Sequence, residues 1–203
     1  MPQYTINNIM KKTHEVIPFE GKWETAFAQP QRSGTWLIWG NSGNGKSEFA
    51  MQLAVELNKF GKVLFLSLEE GVEKTFKERL ERCGATNLKN FLVVDTKENL
   101  TERLQKRKSA DFIIIDSLQA LQFDYHKYLE LKNAFPTKLF VYISHCEGKT
   151  PSTRTGRAIM YDANMKIIVS GYVAQTKGRS IGKNGGKYVI WEEFVNNQLT
   201  IKN

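Results

Sequence analysis

Hydrophobic positions along this chain fall into short unbroken runs separated by amphipathic stretches. Thr35 to Trp39 is the first run, and Lys62 to Leu68, Phe91 to Asp95, Asp111 to Ser117 and Lys138 to His145 follow it. Consecutive apolar positions over that length predict strands buried on both faces. After the first run, Phe49, Ala50, Leu53, Ala54, Leu57 and Phe60 recur at helical spacing, and Gly61 supplies a stop. Val72 to Cys83, closed by Gly84, reads as a second helix. Glu98 to Lys108 reads as a charged surface helix whose cluster Lys106, Arg107, Lys108 suits a solvated C-terminal end. A Gly/Ser/Thr/Pro-rich loop is expected over 146–157 and a short helix over about 157–163. Met165 to Ser170, Tyr188 to Trp191 and Gln198 to Ile201 read as strands, with a turn at Lys183 to Gly186. The alternation predicts an α/β fold: a mainly parallel sheet flanked by helices, with a β-rich, antiparallel C-terminal edge. Residues 1–30 are polar and carry Pro2, Pro18 and Pro30 together with Phe19 and Trp23. They read as an N-terminal arm, packed on the domain or on a neighbouring subunit, or as a loosely ordered terminus. Residues 31–203 read as the one domain.

Composition narrows this picture. A chain of 203 residues can bury one sizeable core. Its apolar runs are too short to span a bilayer, and Met1 to Met10 lacks the apolar core of a secretory signal. Cys83 and Cys146 stand far apart without metal-type spacing, which fits a reducing cytoplasm. The formal net charge is +8. Residues 146–187 hold eight Lys/Arg and two acids, and so carry a net +6 of it. Such a concentration permits nucleic-acid binding without requiring it.

The candidate chemistry begins at Gly40-Asn41-Ser42-Gly43-Asn44-Gly45-Lys46-Ser47. The pattern G-x-x-x-x-G-K-[ST] is a phosphate-binding P-loop. Its glycines let backbone N–H groups turn toward a phosphate chain, Lys46 adds positive charge, and the Ser47 hydroxyl is a hard ligand for Mg²⁺. A strand precedes it and a helix follows, which is the order the motif needs. ATP and Mg²⁺ are the expected cofactors. Ligands of parallel sheets sit at the carboxyl ends of the strands. Three further strands end there in polar groups: Glu69 and Glu70, Asp116, and His145. Asp116 is read as a Mg²⁺-holding carboxylate or, more plainly, as a helix N-cap beside Ser117. Glu69 or Glu70 could polarise an attacking water, or both could be first-turn acids of the next helix. His145 could touch the terminal phosphate or be structural.

Taken together these segments resemble the RecA-like ATPase core shared by RecA/RadA recombinases and DnaB-type hexameric helicases. Val63 to Glu70 is similar to the family's second core strand, which ends in the catalytic glutamate, so the resemblance puts that role on Glu69 first and Glu70 second. Ile113-Ile114-Ile115-Asp116-Ser117 resembles its Walker B strand. Ser144-His145 occupies the place of its sensor residue. Arg154 and the run Ile159 to Asn164 resemble a DnaB segment, and loop 146–157 then falls where the family has a mobile DNA-contacting loop. Lys149, Arg154 and Arg157 are the residues expected to follow phosphates there. Lys177-Gly178-Arg179 is similar to the family's K-x-R element, which reaches into a neighbouring subunit's ATP; the alternative is a basic hairpin. Asn164 departs from the family's usual Asp.

The resemblance implies a Mg²⁺-dependent ATP hydrolase that assembles as a homo-oligomer, a ring or filament. It would act on DNA, single strands favoured, in a recombinase-like or helicase-loader-like role, on a phage or mobile element. A second expectation is a KaiC-like nucleotide-switched interaction protein with no DNA binding. A small-molecule kinase is a third, for which no acceptor pocket or lid is legible.

Overall fold

The computed structural model describes residues 3–201. In chain order the elements are α1 (Ile6–Met10), α2 (Gly21–Phe27), β1 (Gly34–Gly40), α3 (Lys46–Asn58), β2 (Val63–Ser67), α4 (Lys74–Arg82) and β3 (Phe91–Val94). Then come α5 (Leu100–Gln105), β4 (Phe112–Asp116), α6 (Leu118–Leu121), α7 (Tyr125–Ala134) and β5 (Leu139–Glu147). The chain closes with β6 (Thr150–Pro151), α8 (Arg154–Asp162), β7 (Met165–Ser170), β8 (Val173–Thr176), β9 (Lys187–Val189) and α9 (Glu192–Ile201).

The sheet runs in the order β3-β2-β4-β5-β1-β7-β8-β9, with β6 paired to β5 alone. Strands β3, β2, β4, β5, β1 and β7 are parallel, and β8 and β9 complete an antiparallel edge. Side chains alternate across the pleat, so each central strand feeds two cores. Trp36, Ile38, Phe112 and Ile114 point to one face, where α3 lays down Phe49, Ala50, Leu53, Ala54 and Leu57. Leu37, Trp39, Ile113 and Ile115 point to the other, under Leu100, Leu104, Leu121, Tyr128 and Ile159 from α5 to α8. This is why the strand sequences read as unbroken apolar runs.

The N-terminal stretch enters the α3 core through Ile17, Phe19, Trp23, Ala26 and Phe27. Trp23 stacks on Tyr188 of β9 with ring centroids 4.3 Å apart and also meets Phe19, Phe27 and Phe49. By contrast α1 buries no side chain. Among the described residues no helix is long and apolar enough to cross a membrane.

Three expectations are corrected. Gln198 to Ile201 belongs to α9, not to a strand. Glu192 and Glu193 favour a helix N-terminus, and a four-residue alternation is too short to separate the two states. The stretch 146–157 is no loop: β5 runs on to Glu147, turns over Gly148 and Lys149 into β6, and α8 begins at Arg154. The Thr153 side chain caps that helix by accepting from the Gly156 N–H at 2.9 Å. Finally, α5 ends at Gln105, so Lys106, Arg107 and Lys108 lie beyond it, with Lys106 in extended backbone.

Removing the Trp23 indole leaves a hole beneath four aromatic rings. Trp23→Ala should destabilise the fold by about 3–5 kcal/mol. Urea denaturation followed by far-UV circular dichroism measures it; a loss below about 1 kcal/mol would mean that the N-terminal stretch is not part of the core.

Candidate active site

Parallel register brings the site together. Gly40 at the end of β1 pairs with His145 of β5, and Ser67 at the end of β2 pairs with Asp116 of β4. The P-loop leaves β1 at Gly40 and enters α3 at Lys46. Gly45 has φ of +94°, and a Cβ there would lie 2.7 Å from the Tyr172 ring, so only glycine fits. Lys46 is 8% exposed, and its ammonium donates to the Asn41 carbonyl at 3.0 Å. Burial lowers its pKa, an effect that the charges of Asp116 and Glu69 only partly offset.

Asp116 is bonded to the Ser47 hydroxyl, and burial raises its pKa despite that bond and the nearby Arg79 and Lys46. Its backbone carbonyl accepts from the Leu68 and Glu69 N–H groups at 2.7 and 3.2 Å, which fixes where β2 releases the twin glutamates. Their side chains then part. Glu69 turns to His145, Oε2 lying 3.0 Å from Nε2. Burial pushes the Glu69 pKa up, but the nearby Ser117 and His145 side chains and the charge of Lys46 outweigh it and the net shift is downward. Glu70 turns away and is bound by Arg79 and Thr75 of α4. Arg79 also faces Glu48 of α3 at 3.8 Å, and Arg82 donates to Glu48 at 2.9 Å. One carboxylate thus faces the phosphate cradle while its neighbour ties α4 down.

The groups face a cavity of about 660 Å³ whose lining includes Lys46, Ser47, Glu69, Asp116, His145 and Trp191. For Mg²⁺ the fit rests on donor chemistry: the Ser47 hydroxyl and the Asp116 carboxylate are adjacent hard oxygens. Among the described residues there is no cluster of three or more metal-binding side chains. Mg²⁺ is commonly held by one or two protein groups, with phosphates and water completing the shell, and this pair suits that arrangement.

The other expected residues lie elsewhere. Lys177 and Arg179 are exposed, and their N–H groups bond to the Lys166 and Asn164 carbonyls at 2.6 and 3.3 Å. That is the start of β7, the opposite end of the sheet from the P-loop, so they do not reach this chain's own cavity. The segment after them docks on α2: the Ser180 hydroxyl donates to the Phe27 carbonyl at 2.6 Å, and the Gly182 N–H to that of Ala26 at 3.0 Å. Lys149, at the tip of the β5–β6 turn, and Arg154, opening α8, are exposed. Arg157 spends one nitrogen on the Pro151 and Ser152 carbonyls at 3.1 and 3.0 Å.

Several residues at the site escaped the sequence reading. Gln119 joins α6 to β5 and to the residue after β6 by donating to the Ser144 and Ser152 hydroxyls at 3.1 and 3.0 Å. Asn44 ties the P-loop to the β7–β8 turn, its Oδ1 accepting from the Gly171 N–H at 2.8 Å. Glu48 and Arg79 lie within the expected helices, and nothing in their local sequence singles them out. Trp191 looked like the end of a strand and Tyr172 fell outside the expected elements, and no local signal places them at a P-loop.

Comparison with known proteins bears on this geometry. In solved structures, a KaiC-like protein from Pyrococcus horikoshii superposes with TM-score 0.57 at 19% identity, covering 82% of this chain and 89% of its own. The flagellar accessory protein FlaH of Methanocaldococcus jannaschii gives TM-score 0.57 at 16% identity, covering 87% and 92%. The fold is that of a RecA-like P-loop ATPase core. A family model described as an AAA domain matches residues 31–124 of this core. The DNA repair protein RadA of Streptococcus pneumoniae is 35% identical over 85 residues, 42% of this chain and 20% of RadA. The DNA repair and recombination protein RadB of Methanosphaera stadtmanae is 30% identical over 98 residues, 41% of either chain. The matched stretch thus spans about a fifth of the RadA chain.

The carboxylates around Arg79 generate a prediction. Arg79→Ala leaves Glu48 and Glu70 without their shared cation in a half-buried setting. The loss should be about 1–3 kcal/mol in urea denaturation, and Glu70→Gln in the same background should recover part of it; strictly additive effects would mean that the two do not interact.

Proposed function

We propose that this RecA-like core is a Mg²⁺-dependent ATP hydrolase that works on DNA as a homo-oligomer. The observation that carries the reading is the convergence of Lys46, Ser47, Asp116, Glu69 and His145 on one cavity at the carboxyl edge of the sheet. In this reading the P-loop N–H groups and Lys46 take the phosphate chain. Ser47 and Asp116 hold Mg²⁺, which when bound neutralises charge on the β- and γ-phosphates. Glu69 accepts a proton from the attacking water, its oxygen bonds to the γ-phosphorus, and the bond to the bridging oxygen breaks to give ADP and phosphate. His145 holds the Glu69 carboxylate in place. Glu70, committed to Arg79, stays out of the chemistry.

Lys177 and Arg179 enter as groups that complete a neighbour's site, since they face away from their own. An arginine there would stabilise charge on the transferring phosphoryl group. We take residues 1–30 as an arm integrated with domain 31–203, on the strength of the buried Ile17 to Phe27 face. For DNA, support comes from the RadA and RadB relatives, whose names assign them to DNA repair, and from exposed Lys149 and Arg154. One observation favours the KaiC-like switch as a second reading: the basic stretch is a hairpin and helix, with the Arg157 guanidinium engaged by the Pro151 and Ser152 carbonyls.

The deciding measurement is ATP hydrolysis with and without single-stranded DNA over a range of protein concentration at fixed salt. Stimulation by DNA and a rise in specific activity with concentration are expected; indifference to DNA would leave the switch reading. Lys46→Ala should abolish tight nucleotide binding. Glu69→Gln should lower kcat by about 10²- to 10⁴-fold, and Glu70→Gln by less than about tenfold. Arg179→Ala should spare ATP binding and cut turnover by about 10³-fold; undiminished hydrolysis would remove the intersubunit role.

A further inference from the structure

The cavity continues beyond the phosphate cradle along one face of α3, past Glu48 and Gln52. Across from that face stands an aromatic group that no nucleotide-binding motif accounts for. Tyr172 comes from the β7–β8 turn, Trp191 from the end of the β9 segment, and Phe194 from the first turn of α9. Tyr172 lies 5.4 Å from Trp191 and 4.4 Å from Phe194, centroid to centroid.

Two features mark this group as a built surface. Tyr172 is fixed to the P-loop: its N–H donates to the Asn44 carbonyl at 3.2 Å, and its ring covers Gly45. Its own carbonyl accepts from the Ile190 N–H at 2.8 Å, which carries Trp191 along with it. Trp191 itself is 48% exposed, whereas Trp23, Trp36 and Trp39 are at most 5% exposed. A chain that buries three indoles leaves its fourth half in solvent at the edge of this cavity.

The polar side chains on this half of the cavity already have partners. Gln52 donates to the Ile190 carbonyl at 3.2 Å and accepts from the Tyr188 hydroxyl at 3.0 Å. Glu48 accepts from Arg82 and Cys83, and Arg79 holds Glu70. The amide that would most naturally read a base edge is therefore spent on holding β9 to α3.

We propose that Trp191 and Tyr172 form a nucleobase platform, and that the site takes nucleoside triphosphates by stacking, with little preference between adenine and guanine. The proposal rests on the nucleotide-binding reading of the P-loop. Stacking on an aromatic face tolerates any base because every base has a π-face. Sites that hydrogen-bond a particular group reject analogues far more strongly.

The test measures binding of ATP, GTP and inorganic tripolyphosphate, each with Mg²⁺, to the wild type, Trp191→Ala and Trp191→Phe, and iodide quenching of tryptophan fluorescence. ATP and GTP should bind the wild type within about threefold of each other and protect Trp191 from iodide, while tripolyphosphate should not protect it. Trp191→Ala should weaken ATP and GTP by about 5- to 100-fold and leave tripolyphosphate unchanged. Trp191→Phe, which keeps a ring, should recover most of the loss. ATP that binds without protecting Trp191, or an ATP preference above about 30-fold over GTP, overturns the platform and leaves the P-loop reading intact. Equal weakening of tripolyphosphate by Trp191→Ala overturns it as a purely structural effect. Failure of all three ligands to bind the wild type removes the P-loop reading and the platform together.

Discussion

The site depends on parallel register. Strands β1, β2, β4 and β5 must release their chains at one level for a P-loop, the first of two glutamates, an aspartate and a histidine to share a cavity. That level is held by backbone bonds: Gly40 beside His145, Ser67 beside Asp116, and the Asp116 carbonyl drawing in the N–H groups of Leu68 and Glu69. A slip by one residue would send the alternating side chains of a strand to the wrong core. Because both faces are filled by large apolar groups, such a slip is heavily disfavoured. The hydrophobic pattern that specifies the fold therefore also aligns the polar ends.

From that alignment comes a division of labour between adjacent identical residues. Glu69 and Glu70 share a chemistry and differ in surroundings. One meets His145 at the cavity, and the other meets Arg79 on α4. The carboxylate pair Glu48 and Glu70 with Arg79 and Arg82 also joins α3 to α4, so the helix that carries the P-loop's C-terminal end is braced on the side nearest the chemistry.

The central parallel strands, the P-loop and the four polar strand ends were legible in the sequence, since each rests on local pattern: an unbroken apolar run, a glycine spacing, a charge after a strand. What was not legible depended on distant partners. Whether Glu69 or Glu70 faces the cavity is decided by Arg79, which lies on another element. The 146–157 stretch looked like a loop by composition, yet Gly148 serves a two-residue turn and Thr153 a helix cap. Gln198 to Ile201 looked like a strand because four residues cannot separate period 2 from 3.6. Trp191 looked like the end of a strand, and its place at the cavity follows only from the turn that carries Tyr172 over Gly45.

The segment after Arg179 reaches α2 mostly through main-chain atoms, with Gly182 so close that a Cβ would sit 2.0 Å from the Thr25 carbonyl. An attachment made largely by backbone is nearly blind to side-chain identity. The path of the chain here is therefore set by Gly182 and the main chain rather than by the side chains of Lys177, Arg179 and Lys183. The side chains on this outer surface can thus change without disturbing the sheet that builds the cavity at the other end.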